Sequence, residues 1–145
     1  MKRLCLALIA ISAVAQERTP PPAYLPDVST SVMKSSAGGR AYQISVALPD
    51  GYSRDHAPYP VLYAADANVQ FGTLVETARV FAQIPPLIIV GIGYETRTQG
   101  FVWDPRAVDL TPAPNSGSPG SGHAAEFLAF IRNDLAPSIE RNYNA

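Results

Sequence analysis

Two short stretches of the chain are apolar without a break: Val-Leu-Tyr-Ala-Ala at 61–65 and Leu-Ile-Ile-Val-Gly-Ile at 87–92. Runs of this length with no polar alternation predict strands buried on both faces, as in a parallel sheet with helices above and below. Between them Phe71, Leu74, Val75, Ala78 and Phe81 recur at three- and four-residue steps, which predicts a helix over 69–81. Pro85-Pro86 closes it. Strand, helix, strand at this spacing is a right-handed crossover unit with parallel strands.

The flanks follow other periods. Residues 40–48 alternate, with Tyr42, Ile44, Val46 and Leu48 on one side and Gln43 and Ser45 on the other. That is a strand with one covered face. Across the turn Ser35-Ser36-Ala37-Gly38-Gly39, the weaker strand candidate 28–34 completes a hairpin. Residues 123–140 carry an apolar stripe at Ala124, Phe127, Phe130, Leu135 and Ile139, a helix in which Pro137 predicts a kink or a fresh turn. The thirty residues 93–122 show no helix or strand period, and long loops in compact domains are commonly functional. Their first part holds Arg97, Trp103, Asp104, Arg106 and Asp109; their second, 113–122, is Pro-, Ser- and Gly-rich and reads as a mobile surface excursion.

The run at 61–65 stops abruptly at Asp66-Ala67-Asn68. Ligands of open α/β sheets bind at the carboxyl ends of strands, which puts this tripeptide at the site. Asp66 reads equally as a turn or cap aspartate. Arg106 and Asp109 read either as an ion pair holding the long loop or as a guanidinium facing the site, where it can bind a carbonyl or carboxylate.

Composition narrows the function. Lys2 and Arg3, the apolar stretch 4–11 and Ala13-Val14-Ala15 have the layout of a secretory leader over 1–15, so a secreted or periplasmic location is expected. Cys5 is the only cysteine, and removal of the leader leaves no thiol for a disulfide, a nucleophile or a metal site. A net charge of −1 without a basic stripe argues against nucleic acid as a partner, and no later stretch is long enough for a membrane helix. Gly91-x-Gly93 follows a strand, but Thr96 stands where a dinucleotide loop needs glycine. Ser118 and Ser121 both lack the glycine pair of a nucleophile turn. His56 and His123 have no partners at metal-ligand spacing and read as surface or capping residues, so no metal or other cofactor is expected.

Five segments then stand in a familiar order: Val-Ala-Leu-Pro-Asp-Gly-Tyr (46–52), Tyr-Pro-Val-Leu-Tyr-Ala-Ala-Asp-Ala-Asn (59–68), Pro-Pro-Leu-Ile-Ile-Val-Gly-Ile-Gly-Tyr (85–94), Arg-Ala-Val-Asp-Leu-Thr-Pro (106–112) and the helix 125–140. Together they resemble the N-terminal half of an esterase family of α/β-hydrolases, most of all the branch similar to ferric enterobactin (trilactone siderophore) esterase. Esterase D and the mycolyltransferases are more distant members. The resemblance implies an α/β fold: a leading β-hairpin, then a mainly parallel sheet flanked by helices.

It also implies a site. The loop after the opening strand gives the oxyanion hole a backbone N–H, here from Asn68 or its neighbour Ala67, where the family commonly has glycine. One such donor lowers the barrier by roughly 3–4 kcal/mol. Arg106 matches a pocket arginine and Asp109 the aspartate beside it. With Asp66 they are the expected substrate-binding residues, for a small-molecule ester. The implied activity is carboxylic ester hydrolysis through an acyl-enzyme, siderophore-type lactones included. The family's serine sits in a Gly-x-Ser-x-Gly turn after the last helix, followed by the acid and the histidine. No such turn occurs in the 145 residues, and His56 and His123 precede its place. Residues 16–145 are therefore expected to form a partial domain without nucleophile, inactive alone. A secreted non-catalytic binding module and an acyltransferase relative are the alternative readings.

Overall fold

The computed structural model describes residues 25–96 and 103–145. The leader at 1–15, most of the Pro-rich stretch after it, Arg97 and the Trp103 side chain lie outside the described residues. Strands β1 (Val28–Lys34) and β2 (Ala41–Ala47) form the expected hairpin, with Val28 opposite Ala47 and Lys34 opposite Ala41. Ser35 N–H donates to Arg40 O at 2.8 Å to close its turn. β3 (Val61–Ala64), α1 (Ala67–Val80) and β4 (Ile88–Gly93) form the central unit. β3 and β4 lie side by side and parallel, with Val61 opposite Ile88 and Ala64 opposite Gly91. The hairpin joins through β2, antiparallel to β4, in the order β1-β2-β4-β3.

Alternation along β2 and β4 divides the core between two faces. Tyr42, Ile44, Val46, Ile88, Val90 and Ile92 pack against Phe127, Phe130, Leu135 and Ile139 of the C-terminal helix. Ala47 and Ile89 face the other way, onto Phe71 and Val75 of α1. All six β4 positions are buried. β3 is less covered than its apolar sequence predicts: it is the outer strand among the described residues, and Leu62 is 42 % exposed.

Two elements depart from the sequence expectation. The patternless 93–122 contains helix α2 (Trp103–Asp109). Seven residues span fewer than two turns, too few to show a period, but Asp104-Pro105 in the first turn is a helix-start signal. The excursion 113–122 is anchored at its base, where Ser121 is buried and its Oγ accepts from Asn115 N–H at 2.7 Å. Gly122, at φ +101°, donates to Thr111 Oγ1 at 2.7 Å. The C-terminal helix runs as α3 (Ala124–Phe130), a π-helical stretch Ile131–Leu135, and α4 (Ala136–Asn142). Ala136 N–H reaches back to Ile131 O, a wider turn just before Pro137. In a regular helix the proline ring would meet the carbonyl four residues earlier; the wide turn absorbs it and the helix continues.

Gly91-x-Gly93 has its explanation here. Both glycines lie on the face of β4 that α1 covers. A Cβ at Gly91 would stand 2.4 Å from Phe71 Cδ2 and 2.8 Å from Ala67 Cβ; one at Gly93 would stand 2.7 Å from Asn68 Oδ1. The pair lets the start of α1 press onto the sheet. Gly91→Ala should lower stability by about 1–3 kcal/mol through overpacking. Urea denaturation measures it, and an unchanged midpoint would mean that α1 sits further from β4.

Candidate active site

The site lies where β3 and β4 end. After β3 the backbone turns through Asp66 in the left-handed region, φ 56° and ψ 32°, and α1 begins at Ala67. The left-handed position thus falls one residue before Ala67, which begins the helix and tolerates a methyl group. Asp66 O accepts from Val69 N–H at 3.0 Å and Gln70 N–H at 3.1 Å. The N–H groups of Ala67 and Asn68 have no acceptor among the described residues, as the geometry of a helix start dictates. Both lie at the positive end of a 14-residue helix.

The Asn68 carboxamide clasps the backbone just beyond β4. Its Nδ2 donates to Tyr94 O at 2.9 Å and its Oδ1 accepts from Tyr94 N–H at 2.8 Å. That double bond ties the first turn of α1 to the carboxyl end of β4. It is a role for the side chain that the sequence reading, concerned with the backbone amide, did not contain.

Asp66 and Arg106 meet. Arg106 Nε donates to Asp66 Oδ1 at 2.6 Å, with Asp66's side chain 10 % exposed. That hydrogen bond raises the guanidinium's pKa further. Because the Asp66 carboxylate is engaged this way, it makes no cap bond to α1. Arg106 therefore pairs across the site with Asp66 and not along its own helix with Asp109, the loop-holding pair that was one reading of the sequence.

Asp109 is elsewhere: its carboxylate has no solvent exposure. It is thus removed from direct contact with a substrate arriving from solvent. Arg40 Nε lies 2.9 Å from Oδ1, and the hydroxyls of Tyr42 and Tyr94 face the group and favour its ionised form. Among the described residues neither carboxylate oxygen nevertheless has a well-aligned hydrogen bond. Burial dominates and pushes the pKa up, against the opposing pull of Arg40, the two phenols and His123. Tyr94's phenol is pushed up as well, first by burial and then by the Asp109 charge. Arg40 continues outward to Glu126 Oε2 at 3.3 Å, and Glu126 Oε1 lies 2.8 Å from His123 Nδ1.

His123 occupies the N-cap position of α3, and His56 stacks on Tyr59 with ring centroids 4.5 Å apart, so neither reaches the turn at Asp66 through a contact seen here. Among the described residues no cluster of His, Cys, Asp and Glu is arranged to hold a metal ion, and no helix is long and apolar enough to cross a membrane.

Hairpin, parallel β-α-β unit and a turn at the strand ends are the N-terminal part of an α/β-hydrolase fold. The chain belongs to the family described as "Putative esterase", whose profile matches residues 35–145. It is 35 % identical over 133 residues to the ferri-bacillibactin esterase BesA of Bacillus subtilis, covering 82 % of this chain and 46 % of that protein. It is 30 % identical over 131 residues to the siderophore triacetylfusarinine C esterase of Aspergillus fumigatus, covering 86 % and 44 %. Among solved structures, the BES protein from Bacillus cereus superposes with a TM-score of 0.79 at 29 % identity, over 89 % of this chain and 51 % of that one. The enterobactin and salmochelin hydrolase IroE gives 0.62 at 29 %, over 81 % and 47 %. The chain thus spans about half the length of these relatives.

Two outcomes follow from the geometry. Asn68→Asp keeps the acceptor for Tyr94 N–H but turns a carboxylate oxygen against Tyr94 O, so it should cost about 1–3 kcal/mol near neutral pH. Thermal melts read the loss, and an unaltered Tm would remove the clasp. The folded pKa of Asp109 lies above its ordinary value of 3.8, so its ionisation subtracts from stability at neutral pH and that loss disappears as pH falls through the raised value. The stability of the wild type relative to Asp109→Asn should therefore improve on going from about pH 7 to about pH 4. Urea melts at each pH test this; a wild-type stability that falls relative to Asp109→Asn on acidification would reverse the sign.

Proposed function

We propose that this chain builds the oxyanion-hole side of an exported carboxylic ester hydrolase acting on siderophore-type ester or lactone bonds. The observation that carries the reading is the pair of N–H groups at Ala67 and Asn68, without acceptors among the described residues, at the start of α1 and beside the Arg106–Asp66 pair. Acyl transfer generates an oxyanion, and preorganised backbone donors at a strand end are what stabilises it. In α/β-hydrolases one of these donors comes from the loop entering the first helix after β3, the place that Asp66-Ala67-Asn68 occupies here. Arg106 then orients the substrate's acyl or polar groups. The names of the two curated relatives, both siderophore esterases, support the choice of substrate.

A serine must still be activated by a neighbouring base, and no Gly-x-Ser-x-Gly turn occurs in these 145 residues. In this reading the nucleophile, acid and histidine come from polypeptide beyond them, and the leader-like 1–15 directs the product to the periplasm or the exterior.

The 145-residue chain alone should show no p-nitrophenyl acetate turnover sensitive to a serine-directed inhibitor; such turnover would overturn the placement of the nucleophile. In a polypeptide that also carries the serine turn, a trilactone siderophore should be hydrolysed, and Arg106→Ala should lower kcat/KM by about ten- to a hundredfold. Hydrolysis of simple esters with no trilactone activity would remove the substrate assignment.

A further inference from the structure

A closed circuit of contacts surrounds the start of α1. Asn68 holds the Tyr94 backbone at both its N–H and its O. The Tyr94 phenol faces Asp109. Asp109 and Arg106 lie three residues apart on α2 and so share one side of that helix. Arg106 bonds Asp66, and the Asp66 carbonyl opens α1 two residues before Asn68.

α2 has only seven residues, and a helix that short does not hold its own orientation. Its C-terminal end is tied by Thr111 Oγ1 to Ala107 O at 2.6 Å and by His123 N–H to Val108 O at 3.0 Å. The first is internal to the helix end, and the second ties that end to the residue before α3. Among the described side chains of α2, Asp109 is the buried one, seated between Arg40 and Tyr42 of the β2 side and Tyr94 just beyond β4. Burying a carboxylate without well-aligned hydrogen bonds opposes folding, whereas an apolar residue there would simply fill space. The charge therefore has a use beyond filling.

We propose that Asp109 is a positioning residue for the oxyanion-hole turn: seated between Arg40 and the phenols of Tyr42 and Tyr94, it sets the rotation of α2 and so holds Arg106 against Asp66, fixing the left-handed turn from which α1 and the N–H groups of Ala67 and Asn68 start. The inference rests on the ester-hydrolase reading only for the use made of the turn. The residue acts on chemistry through Arg106 and Asp66 and touches no substrate. Every charged group around it takes part: Arg40 compensates it directly, Glu126 and His123 lie behind Arg40, and the two phenols contribute dipoles.

The test reads Arg106 directly and needs no turnover, so its failure is separate from failure of the function above. The protein is labelled with [15N]arginine; nine arginines give a resolvable set of Nε–H resonances, and Arg106→Lys identifies the one of interest. In the wild type the Arg106 Nε–H should be protected from exchange. In Asp109→Asn it should exchange roughly tenfold faster, while β2 and β4 amides keep their protection. Tyr94→Phe, which keeps the ring and removes only the hydroxyl, should give a smaller change in the same direction. Unaltered Arg106 exchange in Asp109→Asn, with only a lower Tm, would reduce Asp109 to a core group and overturn the proposal. If Asp109→Asn fails to fold, Tyr94→Phe decides by the same resonance: faster exchange supports the proposal and unaltered exchange overturns it.

Discussion

Everything at the candidate site depends on how closely α1 approaches β4. Two glycines remove the side chains that would hold helix and strand apart, and Asn68 uses the space to bond both backbone groups of Tyr94. A helix laid against a strand by apolar contact alone can slide or roll within a few ångströms. One clasped at its first turn cannot, because the amide must satisfy a donor and an acceptor at once. That clasp sets where the first turn of α1, and with it the positive end of the helix dipole, meets the end of β4.

The charges build on this frame. Arg106 reaches the turn from α2, across the mouth of the strands, and Asp66 receives it in a nearly buried setting. Asp109, on the same helix, points inward and is compensated by Arg40 from the edge of β2. One short helix thus presents a cation to the site and an anion to the core. Anchored at these two neighbouring points on one side, α2 gains an orientation that so short a helix does not hold by itself.

Much of this was legible in the sequence, for reasons that can be named. The parallel pair β3 and β4 was readable because unbroken apolar runs have few other uses in a chain of this size. The hairpin was readable from the alternation of Tyr42, Ile44 and Val46. α2 was hidden by its length, and the exposure of Leu62 by the fact that strand order is a long-range property. At the site, Arg106 from the long loop reaches Asp66 at the end of β3, one residue before Ala67. The partner of each charge was not readable. Arg40, which compensates Asp109, lies 69 positions away, and nothing local in a sequence reports such a pairing.

The left-handed backbone at Asp66 has a consequence for anyone who would engineer this protein. A residue with a Cβ held at φ 56° forgoes roughly 1–2 kcal/mol that glycine would recover. Glycine there would also delete the carboxylate that meets Arg106. Selection for thermostability and selection for a well-aimed guanidinium therefore pull this one position in opposite directions, and a hardened variant obtained through it would be expected to trade aim for robustness.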